Sequence, residues 1–263
     1  MTRKPWADPF KGFRAANSNT RILKPGEPLR GSPSAALRAQ PVLTGSPDNL
    51  GLTSERLRQR MVERLQLRDI HDQKVLAAMR AVPRHLFVDE ALASRAYEDV
   101  SLPIGHGQTI SQPWVVAHMV SLLHESGKTD KILEVGAGCG YQAAVLARIY
   151  KRVYAVERVR PLYDVTKARL QRLGLEQVHL HYGDGMLGWK THAPYDAIVV
   201  AAAGLEIPNA LLQQLKVGGR LIAPEGQESQ RLVLIVREQA QHWSRQVLDD
   251  VRFVPLKPGL QIS

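Results

Sequence analysis

The stretch KILEVGAGCGYQ, residues 131–142, decides the fold. Its first five residues have the apolar character of a short buried strand, and the segment YQAAVLARIY that follows has the pattern of a helix. Between the two lie Gly136, Gly138 and Gly140. Glycines in this position permit a tight turn and let the backbone approach a ligand closely. The spacing is G-x-G-x-G and not the G-x-G-x-x-G of dinucleotide-binding folds, so on the glycines alone a plain connecting turn is the alternative.

Strands and helices continue to alternate downstream of this turn. VYAVE, VHLHYGD and YDAIVVAAA are predicted strands, and RPLYDVTKARLQRLG and NALLQQLK are predicted helices. This alternation is typical of βαβ units, which build a parallel sheet covered by helices on both faces. The last predicted strands, RLIAPEG, QRLVLIVRE and DDVRFVPLKP, lie too close together for helical crossovers. We therefore expect a doubly wound α/β fold, Rossmann-like, with a mostly parallel sheet and an antiparallel edge.

The residues before the glycine turn are predicted to add a helical layer. TSERLRQRMVERLQ, HDQKVLAAMRAV and QPWVVAHMVSLLHESG have helical spacing, and RHLFVDEALASRAY is expected to hold a further short helix. Residues 53–128 are thus interpreted as a helical, substrate-side segment of one domain that spans residues 53–263. Residues 1–52 are rich in proline, serine and basic residues without apolar periodicity, and we predict that they form a disordered tail.

Composition narrows the class of protein. The net charge is +10, and residues 1–50 supply half of it, with eight lysines and arginines against three acidic residues. A basic tail can bind nucleic acid, but a solvated tail is the preferred interpretation, and no specific nucleic-acid partner is expected. No apolar run approaches the ~20 residues that span a membrane, and no secretory signal is recognisable. The single cysteine, Cys139, fits a reducing, cytoplasmic location, and the histidines lack zinc-site spacing, so no metal is expected.

Two acidic positions follow the next predicted strands. Glu157 ends VYAVE, 21 residues after Gly136, where a carboxylate can accept hydrogen bonds from ribose hydroxyls. Asp184 and Gly185 end the strand after it, where a carboxylate can accept from an exocyclic amine and a backbone N–H can reach a ring nitrogen. Considered singly, Glu157 can be interpreted as a solvated glutamate, and Asp184 and Gly185 as a common Asp-Gly turn. Taken together on one rim of the sheet, they indicate a ligand with ribose and adenine but no pyrophosphate, namely S-adenosylmethionine.

A polar loop, LPIGHGQTIS at residues 102–111, precedes the glycine turn. Together with EVGAGCGYQAAVLA, APYDAIVVAAA, QLKVGGRLIAPEG and VRFVPLKPG, this loop resembles the protein-L-isoaspartate O-methyltransferase family, from about residue 55 to the C-terminus. The resemblance implies methyl transfer from S-adenosylmethionine to the free α-carboxyl of L-isoaspartyl residues in damaged proteins and peptides. The ester would then close to a succinimide, which starts repair.

The resemblance also implies particular site residues. The QTIS motif places the active-site serine at Ser111, and the cofactor contacts fall on Gly136, Gly138, Gly140, Glu157, Asp184 and Gly185. Two positions depart from the family pattern. Cys139 replaces a small hydroxyl residue, and Val200 replaces an expected threonine. These departures bear on the affinity for the cofactor and not on the class of reaction.

The implied chemistry needs little from the protein beyond positioning. The acceptor carboxylate is already ionised at pH 7, so no strong general base is required, and the hydroxyls of Ser111 and Thr109 can orient it. The alternative for Ser111 is the N-cap of the helix that follows. Two rival functions are another S-adenosylmethionine-dependent methyltransferase, acting on RNA or a small molecule, and a non-catalytic nucleotide-binding module. The expected partners are isoaspartyl-containing proteins and peptides, with no membrane, and the protein is expected to be a monomer.

Overall fold

The computed structural model describes residues 48–263. Residues 1–47 of the predicted tail lie outside the described residues, so that prediction has no counterpart in the fold. The α-helices are α1 (Asp48–Gln66), α2 (Gln73–Ala81), α3 (Pro113–His124), α4 (Tyr141–Leu146), α5 (Arg160–Arg172) and α6 (Asn209–Gln213). The strands are β1 (Leu102–Gly105), β2 (Gln108–Ile110), β3 (Lys131–Val135), β4 (Arg152–Glu157), β5 (Val178–Tyr182), β6 (Tyr195–Val200), β7 (Leu215–Gly226), β8 (Gln230–Gln239) and β9 (His242–Val251).

Seven of these strands form one sheet, in the order β5-β4-β3-β6-β7-β8-β9. The strands from β5 to β7 in this order run parallel, whereas β8 pairs antiparallel with both β7 and β9. The predicted mostly parallel sheet with an antiparallel edge is therefore confirmed. Because the chain moves outward from β3 to β5 on one side and then returns to β6 on the other, a crevice opens at the carboxyl ends of β3 and β6. Open α/β sheets bind their ligands at such a switch point.

Both faces of this sheet are buried. The central strand β3 alternates its side chains between two apolar clusters, so that Ile132 packs on one face and Leu133 on the other, each fully buried. The N-terminal helices α1, α2 and α3 cover the first of these faces. Such two-sided burial explains why KILEV lacks the apolar-polar alternation of a half-exposed strand. The glycine turn therefore follows a strand that is held in place by packing on both faces.

The N-terminal layer differs from its prediction at three places. Helix α1 begins at Asp48, five residues before the predicted start at Thr53. The predicted short helix in RHLFVDEALASRAY is instead two 3₁₀ segments, Arg84–Phe87 and Glu90–Arg95. The segment over residues 53–128 is not wholly helical, because β1 and β2 form an antiparallel hairpin in the polar loop. Its turn places His106 and Gly107 at positive φ, at 52° and 66°, which a glycine adopts without strain.

The end of the chain is the largest departure from prediction. The expected strand DDVRFVPLKP is confirmed only for its first three residues and is wrong beyond them, because β9 ends at Val251. The residues beyond it run across the carboxyl edge of the sheet and form only isolated bridges, from Pro255 to Ala203 and from Gln261 to Val159. Pro255 has no N–H to donate to a ladder, which is consistent with an isolated bridge at this position. Residues 252–263 are called the C-terminal segment below.

Candidate active site

A cavity of about 280 Å³ lies at the switch point of the sheet. We call it the cofactor cavity. It brings together six residues that the sequence singled out: Thr109, Ser111, Gly136, Gly138, Glu157 and Gly185. Gly140 and Asp184, also predicted as cofactor contacts, are not part of its wall. Both are adjacent in sequence to wall residues, so they affect the backbone conformation of the wall without lining the cavity.

The glycine turn depends on backbone conformations that only glycine adopts readily. Gly136, Gly138 and Gly140 all have positive φ, at 88°, 53° and 85°. The Thr166 hydroxyl of α5 donates to the Gly138 carbonyl at 2.6 Å and locks the turn against that helix. A Cβ at Gly140 would lie 2.9 Å from Thr166 Cγ2, so this glycine serves the packing of α5. The turn is thus held from outside while its other side faces the cavity.

Glu157 lies at the end of β4 and is buried, with 4% of its surface exposed. Its Oε2 accepts from the Gly138 N–H at 2.8 Å, and its Oε1 accepts from the Val159 N–H at 2.8 Å. The interpretation as a solvated glutamate is therefore wrong. Each carboxylate oxygen still has a free lone pair, so Glu157 can accept hydroxyl donors from the cavity while it stays fixed to the turn.

Asp184 holds two backbone segments together. Its Oδ1 accepts from the Met186 N–H at 2.9 Å and caps the 3₁₀ segment Gly185–Leu187. Its Oδ2 accepts from the Gly259 N–H at 2.7 Å and so fastens the C-terminal segment. A contact between Asp184 and an amine of the cofactor stays a prediction, whereas Gly185 does line the cavity.

The C-terminal segment closes one side of the cofactor cavity. Val254, Leu256 and Gln261 are among its wall residues. The Arg158 guanidinium donates to the Gly259 carbonyl at 2.9 Å and to the Gln261 side-chain oxygen at 3.1 Å. These contacts bring the last residues of the chain over the ends of β4 and β5. The apolar pattern of this region predicted an edge strand, and no local signal indicated its place in the site.

Glu134 is the most important cavity residue that the sequence analysis missed. It has 1% of its surface exposed, and neither carboxylate oxygen has a hydrogen-bond partner among the described residues. Burial raises the pKa of this carboxyl well above its usual value, and the nearby Glu157 raises it further. A buried carboxyl that faces a cavity without a partner is suited to bind a cation. The available signal was a glutamate within KILEV, directly before the glycine turn.

The acceptor side of the site is built by the hairpin of β1 and β2. A second cavity, which we call the acceptor cavity, adjoins the cofactor cavity and is walled by Trp114 and Phe253, among others. Thr109, Ser111 and Val254 belong to the walls of both cavities. The junction therefore lies at the two hydroxyl residues that the sequence proposed for acceptor binding.

The N-cap interpretation of Ser111 is wrong. Helix α3 begins at Pro113, so its N-cap is Gln112, which makes no side-chain cap hydrogen bond. Ser111 lies one residue too early because proline occupies the first helical position. Its hydroxyl is thus not engaged in capping.

Arg84 fixes the backbone of Ser111. This side chain is fully buried, and its Nη2 donates to the Ser111 carbonyl at 2.7 Å. The guanidinium carbon lies 4.8 Å from the ring centroid of Tyr141, which lines the cofactor cavity. Burial lowers the pKa of Arg84 from its usual value. Arg84 thus contacts wall residues of both cavities from the protein interior, through Ser111 and Tyr141. No local sequence pattern predicts these contacts.

The two departures from the family pattern have different surroundings. Cys139 is buried in the wall of the cofactor cavity, and burial raises the pKa of its thiol, so the thiol stays protonated. Its backbone carbonyl accepts from Arg169 at 2.8 Å. Val200 is buried in β6 beside Val135 and is not part of the cavity wall.

Residues 48–263 contain no cluster of three or more His, Cys, Asp or Glu side chains with the geometry of a metal site. Within the same range, no helix combines the length and the apolar character needed to cross a membrane.

Comparisons with known proteins agree with this geometry. The family model of protein-L-isoaspartate(D-aspartate) O-methyltransferase matches residues 55–261. A protein-L-isoaspartate O-methyltransferase of Bordetella parapertussis is 59% identical over 95% of this chain and 94% of its own, and one of Bordetella avium is 58% identical over 95% and 92%. A Plasmodium falciparum protein of the same name, crystallised with S-adenosyl-L-homocysteine, superposes with a TM-score of 0.68 at 27% identity, over 76% of this chain and 98% of its own. Another solved protein-L-isoaspartate O-methyltransferase gives a TM-score of 0.70 at 29% identity, over 78% of this chain and 67% of its own.

Proposed function

The chain belongs to the protein-L-isoaspartate O-methyltransferase family, and from this premise we propose how its residues divide the work of methyl transfer. The reaction moves a methyl group from S-adenosylmethionine to the free α-carboxyl of an L-isoaspartyl residue. The family and the cofactor inferred from the sequence are thereby confirmed. The rival functions, a methyltransferase for RNA or small molecules and a non-catalytic nucleotide-binding module, are set aside by the identity to isoaspartate methyltransferases over nearly the whole chain.

The cofactor residues are assigned by the chemistry of the cavity wall. Glu157 accepts hydrogen bonds from the ribose hydroxyls, and the Gly185 N–H and the Asp184 carboxylate serve the adenine. Glu134 binds the ammonium of the methionine moiety, because its buried carboxyl has no other partner and its ionised form is stabilised by a cation beside it. The glycine turn keeps side chains out of the space between these groups. This donor set fits the cofactor, which carries one ribose, one adenine and one ammonium group.

The acceptor carboxylate is held at the junction of the two cavities. The observation that carries this assignment is that Thr109 and Ser111 line both cavities. S-adenosylmethionine, when bound, supplies an electrophilic methyl carbon on a positively charged sulfur. The Ser111 and Thr109 hydroxyls would donate hydrogen bonds to one oxygen of the acceptor and leave the other free to attack this carbon. The C–O bond would form as the C–S bond breaks, with S-adenosylhomocysteine as the leaving group. Alignment of this kind can lower a barrier by ~7–11 kcal/mol, so no general base is needed.

Selection of isoaspartate follows from the position of the acceptor group. In an isoaspartyl residue the chain continues through the side-chain carboxyl, so the free α-carboxyl projects from the backbone and can enter the junction. The natural substrates are therefore proteins and peptides that contain this linkage. We further propose that residues 53–263 act as one catalytic domain and that the protein works as a monomer in the cytoplasm.

Substitution of Ser111 tests the assignment. Ser111→Ala should leave the Kd for S-adenosylmethionine unchanged and lower kcat/KM for an isoaspartyl peptide about 10- to 100-fold, the loss of one hydrogen bond to a charged group. Ser111→Asp should nearly abolish turnover, since a second carboxylate repels the acceptor. Ser229→Asp in the exposed β7–β8 turn is the matched control and should retain activity. A fully active Ser111→Asp enzyme would overturn the assignment.

A further inference from the structure

An unpaired cation borders the acceptor cavity. Arg252 is exposed and belongs both to the wall of the acceptor cavity and to that of a third cavity, which is lined by Leu205 and Glu228 among others. Within the described part of the chain, the Arg252 guanidinium makes no hydrogen bond or ion pair, and Glu228 lies beyond ion-pair distance. An arginine that is left free at a substrate cavity attracts carboxylates from solution.

The nearest acidic side chains along the chain are already paired with other residues. Asp249 lies 2.9 Å from His118, and Asp250 lies 3.1 Å from Arg231. These contacts engage the carboxylates that lie three and two residues before Arg252. Asp250 also belongs to the wall of the acceptor cavity, but its carboxylate is paired with Arg231, so among the described residues of this wall Arg252 is the charged side chain without an ion pair.

The spacing along the chain relates Arg252 to the point of methyl transfer. Val254 lies at the junction of the cofactor and acceptor cavities, two residues after Arg252. The stretch between them lies between β9 and the bridge of Pro255 to Ala203. Two residues of an extended chain span at most ~7 Å, so Arg252 lies within that distance of the junction along the backbone. A substrate polypeptide that runs alongside this stretch, with its isoaspartate at the junction, presents to Arg252 a residue two positions away.

We propose that Arg252 is a specificity-determining residue that favours isoaspartyl polypeptides with a second carboxylate two residues from the damaged one. This inference rests on the proposed function, because it requires the acceptor to lie at the junction. Damaged acidic segments would then be methylated in preference to neutral ones. The chemistry recognised is a side-chain carboxylate, from aspartate or glutamate.

The test uses the full-length enzyme and three synthetic isoaspartyl peptides. One carries glutamine at both positions two residues from the isoaspartate, and each of the others carries glutamate at one of them. For the wild-type enzyme, glutamate at one of these positions should lower KM about threefold with kcat unchanged, the size expected of an exposed ion pair. The effect should weaken at high salt. Arg252→Gln should remove the difference, and Arg252→Glu should reverse it.

The control is Arg172→Gln, at the end of α5 away from the carboxyl edge of the sheet, which should keep the preference. Equal KM values for the three peptides with the wild-type enzyme would overturn the proposal. A preference for glutamate that survives in Arg252→Gln would overturn it as well. Methylation of the glutamine peptide separates this outcome from a failure of the proposed function, in which no peptide would be methylated and both proposals would fall.

Discussion

Replacing Glu134 by glutamine should change cofactor binding and stability in opposite directions. The pKa of the buried carboxyl is raised, so the folded protein keeps the proton over a pH range in which the unfolded chain has lost it. The folded state then binds more protons than the unfolded state, and the stability contributed by this group falls as pH rises above the unfolded pKa. The slope is about 1.4 kcal/mol per pH unit until the folded pKa is reached. Glutamine resembles the protonated form, so Glu134→Gln should lack this slope and exceed the wild type in stability at the upper end of the range.

Cofactor binding should respond in the other direction. The ionised carboxylate is the form that pairs with the ammonium, so the wild-type affinity for S-adenosylmethionine should rise with pH wherever the free enzyme holds the proton. Glutamine cannot ionise, and loss of one charge-assisted hydrogen bond is worth ~1.5–3 kcal/mol, or about 10- to 100-fold in Kd. Below the ~7.7–8.0 pKa of an α-amino group, the ligand itself stays charged.

Titration calorimetry with S-adenosylmethionine from pH 6 to 7.5, together with urea unfolding in the same buffers, measures both effects. Glu228→Gln is the matched control, because that glutamate is exposed and lies outside the cofactor cavity. It should show the wild-type pH dependence in both experiments. An affinity for the cofactor in Glu134→Gln that equals the wild-type value at every pH would refute the reasoning.

Substitutions at three further positions test the rest of the site. Arg84→Met should lower kcat/KM for an isoaspartyl peptide about 10- to 100-fold and change the Kd for S-adenosylmethionine little. Arg84→Lys can still donate to the Ser111 carbonyl and should recover part of the loss in kcat/KM. A loss of cofactor affinity as large as the loss of kcat/KM would contradict a positioning role. Glu157→Gln should raise the Kd for the cofactor about tenfold or more, measured by calorimetry, and an unchanged value would place the ribose elsewhere. Gly140→Ala, at φ 85° and with its Cβ 2.9 Å from Thr166 Cγ2, should cost about 1–3 kcal/mol in urea unfolding, and wild-type stability would contradict the packing argument.

The features that could be predicted from the sequence are those with a local signal. The glycine turn, Glu157 and Gly185 lie at or just after the ends of β3, β4 and β5, and the parallel topology brings these ends to one edge. Glu134 was missed although it lies in the same stretch, because a charged residue in a strand reads as solvated until burial on both faces is known. Its position directly before the glycine turn was the one feature of the sequence that indicated a place in the site.

The features that could not be predicted depend on distant contacts. Arg84 reaches Ser111 across 27 residues, and neither end carries a pattern that indicates the other. The C-terminal segment has the apolar content of a strand, but its course is set by hydrogen bonds to Arg158 and Asp184. These two residues follow β4 and β5, at the opposite end of the strand order from β9. The first seven residues of β9 were not predicted, because most residues of this edge strand are exposed and polar.

The most direct test of the central claim is methyl transfer to two peptides that differ only in one linkage. The full-length protein is incubated with S-adenosylmethionine labelled in its methyl group and with either an isoaspartyl peptide or the same sequence with normal aspartate. The junction at Thr109 and Ser111 predicts base-labile label in the isoaspartyl peptide and none in its aspartyl twin. Equal labelling of the two peptides, or of neither, would contradict the account.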